Sequence, residues 1–202
     1  LGLQAFEVST NLVTYSACQS IGSLWTQSGA TTTENQFTEA FGVFNGVLVE
    51  DTGDDWNGIQ NTASVSWTSG DVFTVQGWLK KGTSSTWSVR LRDGTAATES
   101  VVSGTWGSDT MGDTNAAGTV SNKRVEYSES DTLAHVSFTV TTNSTTSAGA
   151  VRLGPYSTTN VDIVCLAAQL TATASPKPYT PTKGAVVPRS ATSCYKAVSE
   201  FG

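Results

Sequence analysis

The chain has 202 residues, enough for one well-packed domain, and it carries a formal net charge of −6 with a pI near 4.6. Charged residues make up 14% of it, against about 25% in an average soluble protein, and Thr, Ser and Gly take their place. The missing basic field argues against backbone-driven nucleic-acid binding, and the six Trp, seven Phe and five Tyr argue against a disordered chain.

In chain order, short runs of alternating apolar and polar residues are broken by Gly, Asp, Asn and Ser, and helical spacing is nearly absent. Strands are expected over Gly2–Val8, Gly46–Glu50, Ser64–Trp67, Val72–Lys80, Trp87–Asp93, Val125–Tyr127, His135–Thr142, Ala150–Leu153 and Val161–Gln169. The clearest is Val72–Lys80, with Phe73, Val75, Gly77 and Leu79 on the core face and Val72, Thr74, Gln76, Trp78 and Lys80 on the other. Trp87, Val89 and Leu91 point inward in the next strand, while Ser88, Arg90 and Arg92 point outward, and Arg152 alternates with Val151 and Leu153. The stretch Ser103–Ser121, rich in Gly, Asp, Ser and Thr, reads as a long irregular loop carrying Trp106 and Met111.

Past Thr171 the alternation stops, and Pro176, Pro178, Pro181 and Pro188 mark an extended tail. The expected fold class is all-β: a two-sheet antiparallel β-sandwich over residues 1–174, followed by an extended Pro-containing tail or linker over 175–202. Of the three cysteines, Cys165 sits in an apolar run and reads as a small buried hydrophobe, whereas a Cys18–Cys194 bridge stays open. No apolar run approaches the about 18 residues of a membrane span, so no membrane insertion is expected. No signal-peptide pattern stands at Leu1, and the chain reads as a piece of a longer protein.

A set of short motifs carries a resemblance. They are Asn11-Leu12 with Ser16 and Trp25, Val72 through Gly82, Ala167-Ala168-Gln169-Leu170, and Pro178-Tyr179-Thr180-Pro181-Thr182 followed by Arg189. In this order they resemble the jelly-roll, carbohydrate-binding-like modules of phage tail, fibre and capsid-decoration proteins and of modular polysaccharide-degrading enzymes. Leu170-Thr171 departs from the pattern where an acidic residue is usual, and Ala134 stands where a Trp often precedes the late strand. The resemblance implies a jelly roll with a non-catalytic role. It would bind a polysaccharide or cell-surface glycan, at an extracellular or virion surface, or else act as a purely structural module against other virion subunits. Fold alone does not choose between these.

The residues themselves offer three constellations. A glycan groove on the polar face of the Val72–Lys80 sheet would use Gln76, Trp78, Lys80, Arg90, Arg92 and Arg152, the indole meeting a sugar's C–H face and the polar groups its hydroxyls. The basic residues would favour an anionic glycan. The competing reading has Trp78 covered by the domain itself and the arginines paired across the sheet. Trp56 and Trp106, flanked by turn residues, are expected at the sandwich ends, either stacking on ligand or lidding the core. Asp51, Asp54 and Asp55 crowd together with Glu50 and suit either a structural calcium ion or a solvated acidic turn. His135 is the one histidine, and no Gly-x-Ser-x-Gly elbow or phosphate loop occurs, so no enzymatic activity is expected.

Overall fold

The computed structural model describes residues 9–14, 16–18, 21–38, 45–53, 57–62, 64–128, 131–156, 160–182 and 188–189. Among them no helix forms, and fifteen strands do. In chain order these are β1 (Ser9–Thr10), β2 (Trp25–Ser28), β3 (Ala30–Thr38), β4 (Asn45–Asp51), β5 (Gly58–Asn61), β6 (Val65–Trp67), β7 (Val72–Lys81) and β8 (Thr86–Asp93). There follow β9 (Thr98–Thr105), β10 (Met111–Asn115), β11 (Gly118–Ser128), β12 (Leu133–Thr142), β13 (Thr146–Gly154), β14 (Asp162–Thr171) and β15 (Pro188–Arg189).

Two antiparallel sheets make a jelly-roll sandwich. One has six strands in the order β11-β12-β7-β14-β4-β3, and the other has seven, in the order β10-β9-β8-β13-β5-β2 with β6 also on β13. The pair β1–β15 stands apart from both. The core fills the space between inner faces: Phe73, Val75, Leu79, Val136 and Phe138 from one sheet meet Trp87, Val89, Leu91, Val151 and Leu153 from the other. Gly77 permits a close approach of the two sheets, because a Cβ there would lie 2.8 Å from Val89 Cγ2 and 3.0 Å from Leu153 Cδ2. Cys18 and Cys165 are both buried as free thiols, and burial pushes both pKa values up. Cys194 and the expected strand Gly2–Val8 lie outside the described residues.

Two expectations are corrected. The segment Ser103–Ser121 is no irregular loop: it completes β9, forms β10 and opens β11. β10 is an edge strand exposed on nearly every residue, so both its faces are polar and no alternation marks it. The second correction concerns β7 and β8. Consecutive in sequence, they belong to opposite sheets.

Past Thr171 the described chain bends and then, through Thr182, runs without regular secondary structure against the outer face of the six-stranded sheet. Thr74 Oγ1 donates to Thr173 O at 2.7 Å, Gln76 Nε2 to Lys177 O at 3.0 Å, and Gln169 Nε2 to Lys177 O and Pro178 O at 3.2 Å. The start of the domain closes onto this strap. Asn11 Nδ2 donates to Thr180 O at 3.0 Å, Ser16 N to Thr182 Oγ1 at 3.0 Å and Thr182 N to Ser16 Oγ at 2.9 Å, and Ser16 Oγ shares a 2.7 Å hydrogen bond with Tyr179 OH. The motifs around Asn11, Gln169 and Tyr179 are therefore one seam, in which side chains satisfy the backbone of an extended segment that has no strand partner.

Candidate functional site

The split between β7 and β8 separates the expected groove into two places. Alternation directs Gln76, Trp78 and Lys80 outward from the six-stranded sheet, and it directs Arg90, Arg92 and Arg152 outward from the seven-stranded one. Two packed sheets lie about 10 Å apart, so outward side chains on opposite sheets point away from each other. A single groove holding all six residues is excluded.

On the six-stranded sheet, register builds a row across three strands: Glu126 of β11 stands opposite His135 of β12, which stands opposite Trp78 of β7. Neighbouring strands are close enough for flat side chains to stack. The Trp78 and His135 rings do so, with centroids 4.5 Å apart and planes 7° from parallel. Tyr179 of the strap meets the indole edge-on, at 4.9 Å and 67°. His135 Nε2 is 3.1 Å from Gln76 Oε1, and its Nδ1 is 3.5 Å from Glu126 Oε2. Burial pushes the His135 pKa below the usual imidazole value; Glu126 opposes that shift and Arg124 adds to it.

Beside this row, toward the Ser128 and Leu133 ends of β11 and β12, opens a cavity of about 530 Å³. Its lining includes Trp78, His135, Leu133 and Leu166, with Glu126 and Ser128 as polar members. Leu133, Val164, Leu166 and Ala167 form a second apolar cluster with Leu48, Trp78 and Tyr179, separate from the main core. The outer face of this sheet is thus apolar at one end and covered by the strap at the other. The arrangement offers an aromatic and aliphatic wall next to the Glu126 carboxylate and the Ser128 hydroxyl, suited to a ligand with an apolar face and hydroxyl rim.

The remaining expected residues fall as follows. Gln76 is 1% exposed, and both ends of its amide are engaged by Lys177 O and His135, so it positions the strap and the imidazole rather than meeting solvent. Lys80 is half-buried on the same face as Trp78, opposite Leu133 and Val164. Of the two readings of Trp106, the structure fits the lidding one: it is buried in the main core with its ring centroid 6.3 Å from that of Tyr127. Trp56, Asp54 and Asp55 lie outside the described residues. Asp51 is buried; its Oδ1 accepts Gly53 N at 2.6 Å, and its Oδ2 has no partner among the described residues. Calcium takes about six to eight oxygens. Among the described residues no group of three His, Cys, Asp or Glu side chains gathers, so Asp51 alone does not make a calcium site.

Sequence reasoning singles out Trp78 but misses Glu126, Leu133 and Tyr179 as its neighbours. Those contacts depend on strand register and on where the strap docks, and neither leaves a local signal.

No protein-family profile and no curated protein matches the chain. Among solved structures it is similar to the CBM22-1–GH10 modules of the Clostridium thermocellum endo-1,4-β-D-xylanase 10B, complexed with xylohexaose, at 13% identity and a TM-score of 0.49. That likeness covers 79% of this chain, which spans only 28% of the other. It is also similar to the CBM22-1 xylan-binding domain from Paenibacillus barcinonensis Xyn10C, at 12% identity and a TM-score of 0.44, over 86% of this chain and 100% of that one.

Proposed function

We propose that this chain is a non-catalytic carbohydrate-binding module that holds a polysaccharide or cell-surface glycan in the cavity beside Trp78. The observation that carries the reading is the cavity itself: about 530 Å³, walled by Trp78, His135, Leu133 and Leu166 and edged by Glu126 and Ser128. That volume suits a small-ligand site, for which about 300–1,000 Å³ is usual. A pyranose ring would set its C–H face against the apolar wall and offer hydroxyls to the Glu126 carboxylate and the Ser128 hydroxyl. Glycoside hydrolysis works with a pair of carboxylates, and among the described residues Glu126 is the one carboxylate in the lining, which supports binding without cleavage. A setting on an extracellular or virion surface accords with the low charge and the Thr-rich composition.

The alternative is a purely structural interaction domain, and the strap over Gln76 and Gln169 favours it because it already covers part of the face. The two readings separate on a glycan array followed by titration of Trp fluorescence with neutral oligosaccharides, xylohexaose among them. Binding that Trp78→Ala abolishes while the variant stays folded supports the module. An array with no saccharide bound, or binding indifferent to Trp78→Ala, leaves the structural domain.

A further inference from the structure

The second half of the divided groove has its own geometry. On the outer face of the seven-stranded sheet, Arg90 of β8 stands directly opposite Arg152 of β13, and Arg92 stands opposite Glu99 of β9. Glu99 receives all three guanidiniums. Arg90 Nη1 lies 3.1 Å from its Oε2, Arg152 Nη1 donates to its Oε1, and Arg92 Nη1 remains 3.7 Å away. Three positive charges against one negative leave a local excess of two in a chain whose net charge is −6.

Sheet stability does not call for this. Like charges directly opposite one another in a sheet are destabilising, and one arginine would satisfy Glu99. The partners are also unevenly spent. Arg152 is held by Glu99 and by Gln60, whose Oε1 accepts its Nε at 2.7 Å. Arg90 gives Nε to Ser88 Oγ and Nη1 to Glu99, each at 3.1 Å, and its Nη2 has no acceptor among the described residues. The Arg92 side chain makes no hydrogen bond among them and is 25% exposed. The neighbours on this face, Ser88, Val101 and Ala150, are short; Arg90 and Arg152 are buried among them, and Arg92 is the most open to solvent of the three. Crowding among the three is felt at Arg152, whose pKa falls to about 10, chiefly through burial, with Arg92 and Arg90 adding to the fall and Glu99 opposing it.

We propose that Arg90 and Arg92, backed by Arg152 and Glu99, form a second saccharide site on the face opposite Trp78, specific for a sugar unit carrying an oxyanion, either a uronic acid carboxylate or a sulfate ester. The planar fork of Arg92 and the spare Nη2 of Arg90 supply the paired donors that such a group takes. The bound anion relieves the repulsion that the three arginines otherwise hold. The site stands apart from the Trp78 cavity and does not depend on it.

The experiment is calorimetric titration of the whole chain and of Arg92→Ala, Arg92→Lys and Trp78→Ala with trigalacturonate, with a sulfated heparin disaccharide, and with inorganic sulfate alone. The expected result is binding of an anionic saccharide that weakens with added salt and falls at least about tenfold in Arg92→Ala, less in Arg92→Lys. It stays unchanged in Trp78→Ala, while the melting temperature of Arg92→Ala is equal to or above that of the parent. Preference for trigalacturonate assigns the carboxylate, and preference for the disaccharide assigns the sulfate ester. The proposal is overturned if neither saccharide binds, if Arg92→Ala binds as the parent does, if inorganic sulfate binds as tightly as the saccharides, or if Arg92→Ala melts well below the parent. Loss of xylohexaose binding in Trp78→Ala reports on the other site alone, so the two readings fail separately.

Discussion

Changing Gln169 to glutamate replaces one atom and tests whether the strap is held as the hydrogen bonds indicate. Gln169 is fully buried; its Oε1 accepts Thr180 N at 2.7 Å, and its Nε2 donates to Lys177 O and Pro178 O, both at 3.2 Å. A glutamate keeps the acceptor for Thr180 but turns the second oxygen toward two carbonyl oxygens. Each buried polar group left unsatisfied costs about 1–3 kcal/mol, and an ionised one more. A loss of about 2–4 kcal/mol near neutral pH is therefore expected in Gln169→Glu, and the strap would have to lift for the carboxylate to ionise. A protonated carboxyl can donate to one of the carbonyls, so protonation restores part of the seam. The folded-state pKa of the introduced carboxyl must then lie above the unfolded value of about 4.3. A raised folded pKa places the retained stability below the unfolded pKa, with loss as pH rises through the folded one. Urea unfolding of parent and variant across this range, each variant value referred to the parent at the same pH, should show the smallest deficit at the acid end and a widening one toward neutrality. Amide exchange at Thr180 should quicken in the variant at neutral pH. A variant as stable as the parent at neutral pH, with Thr180 equally protected, would refute the pinning of the strap by Gln169.

Three further outcomes follow from the same geometry. Burial lowers the His135 pKa, so the folded state resists protonation: stability should fall as pH drops from about 6.5 toward the folded value, and His135→Phe, which keeps a ring against Trp78, should flatten that slope in urea titrations. Gly77→Ala should destabilise by about 1–3 kcal/mol, because its Cβ would meet Val89 Cγ2 at 2.8 Å in the core, and a smaller side chain in place of Val89 in the same chain should recover part of the loss. Excess calcium should raise the melting temperature, and Asp51→Asn should remove the rise, if the acidic turn holds a cation; a temperature indifferent to calcium and to chelator counts against one.

Much of the fold is legible in the residues because alternation is a local property. Val72–Lys80, Trp87–Asp93 and His135–Thr142 each alternate apolar core residues with more polar ones, and each forms a strand within two residues of the expected bounds. Strands β2 and β3 escape a reading by pattern because these edge strands are almost wholly polar: burial alternates from Ala30 to Asn35, but beyond Ala30 no apolar residue in that run marks the inner face. The site is legible only in part. That Trp78 faces outward follows from its parity with Phe73 and Val75. That His135 stacks on it follows from β12 pairing with β7 in one register. That Gln76 is closed to solvent follows from a strap about a hundred residues further along the chain.

Local patterning alone is enough for the all-β class, for the inward and outward face of each central strand, and for the end of regular alternation at Thr171. Which faces meet is settled only when the strands pack. Parity tells whether a side chain points into or out of its own sheet, and it carries no information about which of two sheets a strand joins. The short connection after Lys81 carries the chain across the sandwich, so Trp78 and Arg92, both outward and close in sequence, end on opposite sides of the protein.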